Sequence, residues 1–136
     1  MKKIKWNFFK IASVFTAIIF TYLFLMLLLD SKTFINDLGL QSSETALILA
    51  RRTSIFMLGI SVLMIGSINL SHSKARQIIC LATGITMFGL SCMGSYELIK
   101  GTVNSSMLTA IIIETILWIS FGIIFFTNRR TTLVQN

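Results

Sequence analysis

The chain has 136 residues, 54% of them apolar, with no proline and two cysteines. Twelve Lys/Arg against five Asp/Glu give it a net charge of +7. So few charges cannot cover the surface of a soluble domain of this size, which excludes a free-standing soluble catalytic unit. Residues 11–29, 53–71 and 77–96 carry no charge, and 107–128 carry only Glu114. Each stretch has about the 20 residues that cross a hydrocarbon core. The expectation is an all-α, integral membrane four-helix bundle. It forms one four-span domain over residues 1–136, with spans at about 9–29, 53–70, 77–96 and 107–127.

The opening "MKKIKWNFFKIASVF" has the basic front and apolar run of a secretory signal. Its apolar run is too long, and no small-x-small cleavage site precedes Asp30. It reads as an uncleaved first span. Trp6, Phe8 and Phe9 stand at its entry as an aromatic interface belt would. Its Phe- and Leu-rich composition predicts a span that faces lipid more than spans two and three do.

In the connection that follows, Asn36, Asp37 and Gly39 are turn-formers. Ser42 or Ser43 can cap a helix with Glu44 in its first turn. The next residues, "ETALILA", either run straight into span two from near residue 44 or form a short interfacial helix. Span two carries Gly59 and Gly66. Span three carries Gly84, Gly89 and Gly94 beside Ser91, Cys92 and Ser95. Small residues let helix backbones approach in lipid, so these two spans are expected inside the bundle. In span four, Glu114 and Trp118 lie one turn apart on one face.

Orientation follows from lysine and arginine. Lys2, Lys3, Lys5, Lys10, Lys74, Arg76, Arg129 and Arg130 fall on one side of the four spans, with no acidic residue among them. Lys32, Arg51, Arg52 and Lys100 fall on the other, with Asp30, Asp37, Glu44 and Glu97. The first side is therefore expected to be cytoplasmic, with both termini there, in a bacterial inner membrane. Attraction to anionic headgroups explains these flanking cations. Without a basic helix face or an aromatic platform, nucleic acid is not an expected partner.

Little chemistry is legible. Cys80 and Cys92 share span three, twelve residues or about 18 Å apart along a helix, too far to bridge. They read as packing residues. His72, the single histidine, reads as loop filler. There is no metalloprotease, phosphate-loop, dinucleotide or activated-serine pattern, and no cofactor is expected.

The polar interest lies at the non-cytoplasmic end. The topology brings Asp30, Arg51, Arg52, Tyr96 and Glu97 toward one leaflet, and places Glu114 about two turns inside span four from the same side. Structural ion pairing and recognition of a polar ligand or lipid headgroup both account for such a cluster. The specific expectation is an ion pair between Glu114 and Arg52 or Arg51, which requires span four beside span two.

The segment "ETALILARRTSIFMLGISVLMI" resembles the second-span signature of small bacterial four-span proteins of unknown function, and the plan is similar to the DoxX-like group. Glu44, Arg51, Arg52 and Gly59 carry the likeness, over residues 40–126, with Glu114 matching an acidic position in the last span. The resemblance implies a four-helix membrane fold and no activity.

Three functions are weighed. The favoured one is a non-enzymatic small multi-pass protein that binds a lipid or small molecule or associates with a larger membrane complex. Its partners would be membrane lipids, a second copy of itself or another membrane protein. The alternative is a minimal transporter or channel subunit using Glu114. The third is a membrane enzyme acting on lipid or quinone.

Overall fold

A computed structural model describes residues 8–70 and 73–134, with side chains to residue 127. Lys2, Lys3, Lys5, Trp6 and His72, and the side chains of Arg129 and Arg130, lie outside the described residues. The described chain is all-α. Its helices are α1 (Phe8–Leu29), α2 (Ser31–Asp37), α3 (Glu44–Ser67), α4 (Lys74–Lys100) and α5 (Met107–Val134). Four of them are long and apolar enough to cross a membrane, and α2 is a short helix between the first two.

Local chemistry sets the boundaries. Asp30, at φ −136°, breaks the helical path between α1 and α2. Gly39 then turns the chain at φ +80°, where a side chain would be strained. Ser43 caps α3, its Oγ accepting from the Ala46 amide at 3.2 Å. The apolar segment after Glu44 therefore belongs to span two, and there is no separate interfacial helix. Ser73 caps α4 in the same way, accepting from the Arg76 amide at 3.3 Å. At the other end of α4, Gly101 takes the left-handed conformation at φ +75°. Its amide and that of Thr102 then reach back to Leu98 and Glu97 carbonyls, both at 3.1 Å, as in a glycine-terminated helix.

The long helices pair as α1 with α3 and α4 with α5, and contact between α1 and α5 joins the pairs. Lys10 donates to Asn69 Oδ1 at 3.3 Å, so the start of α1 and the turn after α3 share one end, here the proximal end. Asn104 marks the distal end. Its amide donates to the Leu38 carbonyl at 2.9 Å and its Nδ2 to the Asp37 carbonyl at 2.8 Å. Its Oδ1 accepts from the Ser106 amide at 2.9 Å, organising the entry to α5. One side chain thus clasps the two distal connections together.

The core runs from the middle of the bundle to the proximal end: Phe9, Phe20, Met64, Met87, Leu117, Phe121 and Ile124, with small residues of α1 and Cys80. Outward faces carry Ile18, Phe56, Ile85 and Ile123, each more than half exposed. Continuous apolar surface on every side is untenable in water and natural in lipid. The chain is a small multi-span membrane protein.

The expected interior was misplaced. Among the four spans α1 has the largest buried share, 33% of its most apolar window against 22%, 28% and 17% for α3, α4 and α5. Ala12, Ser13, Thr16 and Ala17 form a small-residue stripe amid its bulky neighbours, and all four are buried. The Thr16 hydroxyl satisfies itself on the Ala12 carbonyl at 2.8 Å. From α3, Ser61 Oγ donates to the Ala17 carbonyl at 3.1 Å and lies 2.7 Å from Thr21 Oγ1. Hydroxyls that bond across or along helices cost little to bury and permit close approach. By contrast, a Cβ built on Gly59, Gly66 or Gly89 meets nothing within 4 Å. Those glycines face away from any neighbour. Of the span-two and span-three glycines only Gly94 sits in a tight contact, its Cβ position 3.0 Å from both Ile111 and Met107.

Candidate functional site

Helical periodicity places Glu114, Leu117, Trp118 and Phe121 on one stripe of α5. Leu117 and Phe121 are buried in the core, and Trp118 packs edge-on against Phe88 of α4 at 5.5 Å between ring centroids. Around this stripe α5 is fixed to α4 by close packing at Gly94 and by the Ser91–Thr115 hydroxyl pair at 2.8 Å. Glu114 therefore cannot turn away to lipid without turning the whole helix. It lies seven residues into α5, about 10 Å below the distal end of the helix. The side chain is half-buried, and its Oε2 is fully enclosed with no hydrogen-bond partner among the described residues.

The expected ion pair with Arg51 or Arg52 is not formed. The neighbours of α5 are α4 and α1, whereas the arginines sit on α3 with exposed side chains. The long helix that packs on α3 is α1, joined to it where Ser61 meets Ala17 and Thr21. Asp30 is exposed at the α1–α2 junction, and its side chain makes no capping bond. Tyr96 is exposed and Glu97 half-buried near the end of α4, with the Lys100 ammonium 5.9 Å from the Tyr96 ring centroid. These residues share the distal end. Among the described residues, no side-chain hydrogen bond or ion pair joins Asp30, Arg51, Arg52, Tyr96, Glu97 and Glu114 to one another.

No family model matches this chain, and no curated protein or solved structure matches it. No link to the DoxX-like group is therefore shown, and the residues that suggested one carry no common site. Here Glu44 opens α3, Arg51 and Arg52 are exposed on its flank, and Gly59 faces open space.

Among the described residues no group of three or more His, Cys, Asp or Glu side chains converges to hold a metal ion. Cys80 is buried, Cys92 is exposed, and both are free thiols. Two features were missed in the sequence. Asn104 carries the distal clasp, and its signal was weak, a lone asparagine in "TVNSS". Arg76 was read as a topology signal, yet it is buried at 4% exposure. The distance to the nearest acid in sequence could have marked it.

Proposed function

We propose that this chain is a non-enzymatic multi-pass protein of a bacterial inner membrane that holds a lipid, a small molecule or a segment of a larger membrane complex at Glu114. The enclosed, unpartnered Oε2 carries the reading. A carboxylate oxygen shut away from water lacks the donors that normally stabilise it, and in the bilayer that deficit is costly. An ammonium, hydroxyl or amide donor entering at this depth supplies what the chain's own arginines do not. The basic proximal segments, which contain no acidic residue, support cytoplasmic termini, and Glu114 would then lie in the outer leaflet.

The same oxygen favours one other reading, a minimal transporter or channel subunit in which Glu114 takes up a proton or cation. Four spans are few for such a task, so it would act as an oligomer.

The test compares wild type with Glu114→Leu and Glu114→Gln, each extracted in mild detergent from its own membrane. Mass spectrometry of the purified proteins should find a lipid, metabolite or protein retained by wild type and reduced roughly tenfold or more in Glu114→Leu. That variant should fold at least as stably, because it removes an enclosed carboxyl oxygen without a hydrogen-bond partner among the described residues. Equal retention by all three proteins rejects the reading. Proton-driven flux in vesicles that is lost in Glu114→Gln transfers it to the transporter. Reporter fusions after residue 136 should read cytoplasmic, and those at 37–42 external.

A further inference from the structure

The proximal end holds a buried cation, Arg76, independent of half-buried Glu114. Arg76 lies in the first turn of α4, three residues after its cap Ser73, and is 4% exposed. Its guanidinium carbon sits 4.2 Å from the centroid of the Phe9 ring, and Phe9 is itself buried. Its Nε is enclosed and has no hydrogen-bond partner among the described residues.

Two things make this placement costly for the chain alone. The start of a helix is the positive end of its dipole, where an anion is favoured and a cation is not. A buried guanidinium also needs an anion or several acceptors, and a ring face replaces only part of that. The chain offers no acidic side chain here, since residues 1–29, 45–96 and 115–136 contain neither Asp nor Glu. At the same end of the bundle the charged groups are further cations: Lys10 donates to Asn69 across the proximal turn, and exposed Lys74 opens α4 on the opposite face from Arg76.

The geometry points to a phosphate-binding site at the proximal end of α4, formed by the Arg76 guanidinium on Phe9 and the start of the helix, with Lys10, the residue after Phe9, at its rim. Its ligand is the phosphate group of an anionic phospholipid in the adjoining leaflet. A guanidinium fork matches phosphate oxygens, and its two Nη groups are not among the enclosed atoms. The depth suits a headgroup, because Arg76 stands where α4 enters its apolar span. Phe8, half exposed and next in sequence to Phe9, offers an apolar surface to acyl chains at the same level. Basic pockets between membrane helices at a cytoplasmic face are general binding places for such headgroups.

The full-length protein in mild detergent tests this through its unfolding temperature and through native mass spectrometry. Three additions are compared: phosphatidylglycerol, phosphatidylethanolamine and inorganic phosphate. Phosphatidylglycerol should raise Tm and remain bound, and phosphatidylethanolamine should do so much less. Arg76→Gln should weaken retention of phosphatidylglycerol by roughly tenfold or more. Arg76→Lys, which keeps the charge without the planar fork, should fall between, and serves if the glutamine variant does not fold. Stabilisation by inorganic phosphate without any by phosphatidylglycerol would keep the anion site and overturn the lipid as its source. Equal behaviour of the two lipids with no effect of phosphate, measured on wild type alone, would overturn the site. So would undiminished phosphatidylglycerol retention in Arg76→Gln.

Discussion

At the proximal end of the bundle, Phe9, Met64, Phe121 and Ile124 fill the space between helices. At the distal end that work falls to Ser31, Ser91, Gly94 and the hydrogen bonds of Asn104, with Leu27 and Ile35 as local apolar fillers. The two ends also hold ionisable groups of opposite sign, buried Arg76 and half-buried Glu114, each with an enclosed atom that has no hydrogen-bond partner among the described residues. Bulky interdigitation makes a stiff end, because each side chain has many neighbours to lose. Small residues and a loop clasp make an end that holds its register with little volume to exclude a guest. The proximal half is packed by bulky side chains, and the distal half by small residues in close contact and by hydrogen bonds.

The largest expected effect is at the proximal core. Phe121, with no exposed surface, should cost about 3 kcal/mol on Phe121→Ala, through lost contacts and a residual cavity. Ile123→Ala, on the lipid face two residues on, should stay within about 0.5 kcal/mol. Detergent-titrated unfolding measures both, and equal losses would erase the distinction between a packed interior and a lipid face.

Next comes the α4–α5 contact in the distal half. Gly94→Val must push against Ile111 and Met107 and should cost about 1–3 kcal/mol. Gly59→Val meets nothing and should cost under about 0.5 kcal/mol. A large loss at Gly59 would mean that this face of α3 is covered in the membrane, most simply by a second copy or another protein.

The clasp should matter less for global stability and more for local order. Gly39→Ala places a Cβ 3.2 Å from that of Asn104 in a left-handed backbone, at about 1–2 kcal/mol. Asn104→Ala loses the bonds to Asp37 and Ser106, at about 1 kcal/mol because the site is exposed. Hydrogen exchange should quicken at 38–43 and 104–106 while the proximal core stays protected. A double-mutant cycle between the two should show coupling, since the residues touch. Exchange that quickens along the whole bundle would deny the two halves their separate character.

The smallest effect tests a helix start. Ser43→Ala removes the cap on α3 and should cost about 1 kcal/mol or less, read as faster exchange at the Ala46 amide.

An all-α chain with four long apolar helices was legible in the residues, because hydropathy is a local property. The bounds were less so: α3 begins at Glu44, α5 runs on to Val134, and the short α2 covers Asn36 and Asp37, which read as turn-formers. Ser43 and Gly39 act where their chemistry predicted. The inward stripe of α5 was legible too, because a carboxylate and a tryptophan one turn apart mark one face. Lateral order was not legible. Spans two and three were expected inside on account of their glycines, yet α1 lies deepest and Gly59, Gly66 and Gly89 face away from any neighbour. The pairing of Glu114 with Arg52 failed for the same reason, and the burial of Arg76 went unseen. Between helices in lipid, a neighbouring helix and an acyl chain are almost equally apolar, so hydropathy cannot say which face meets which. That choice is made by shape and by a few hydroxyls that reach across a helix pair, as Ser61 does to Ala17 and Thr21. Such complementarity belongs to two surfaces at once, and only the tertiary structure brings them together.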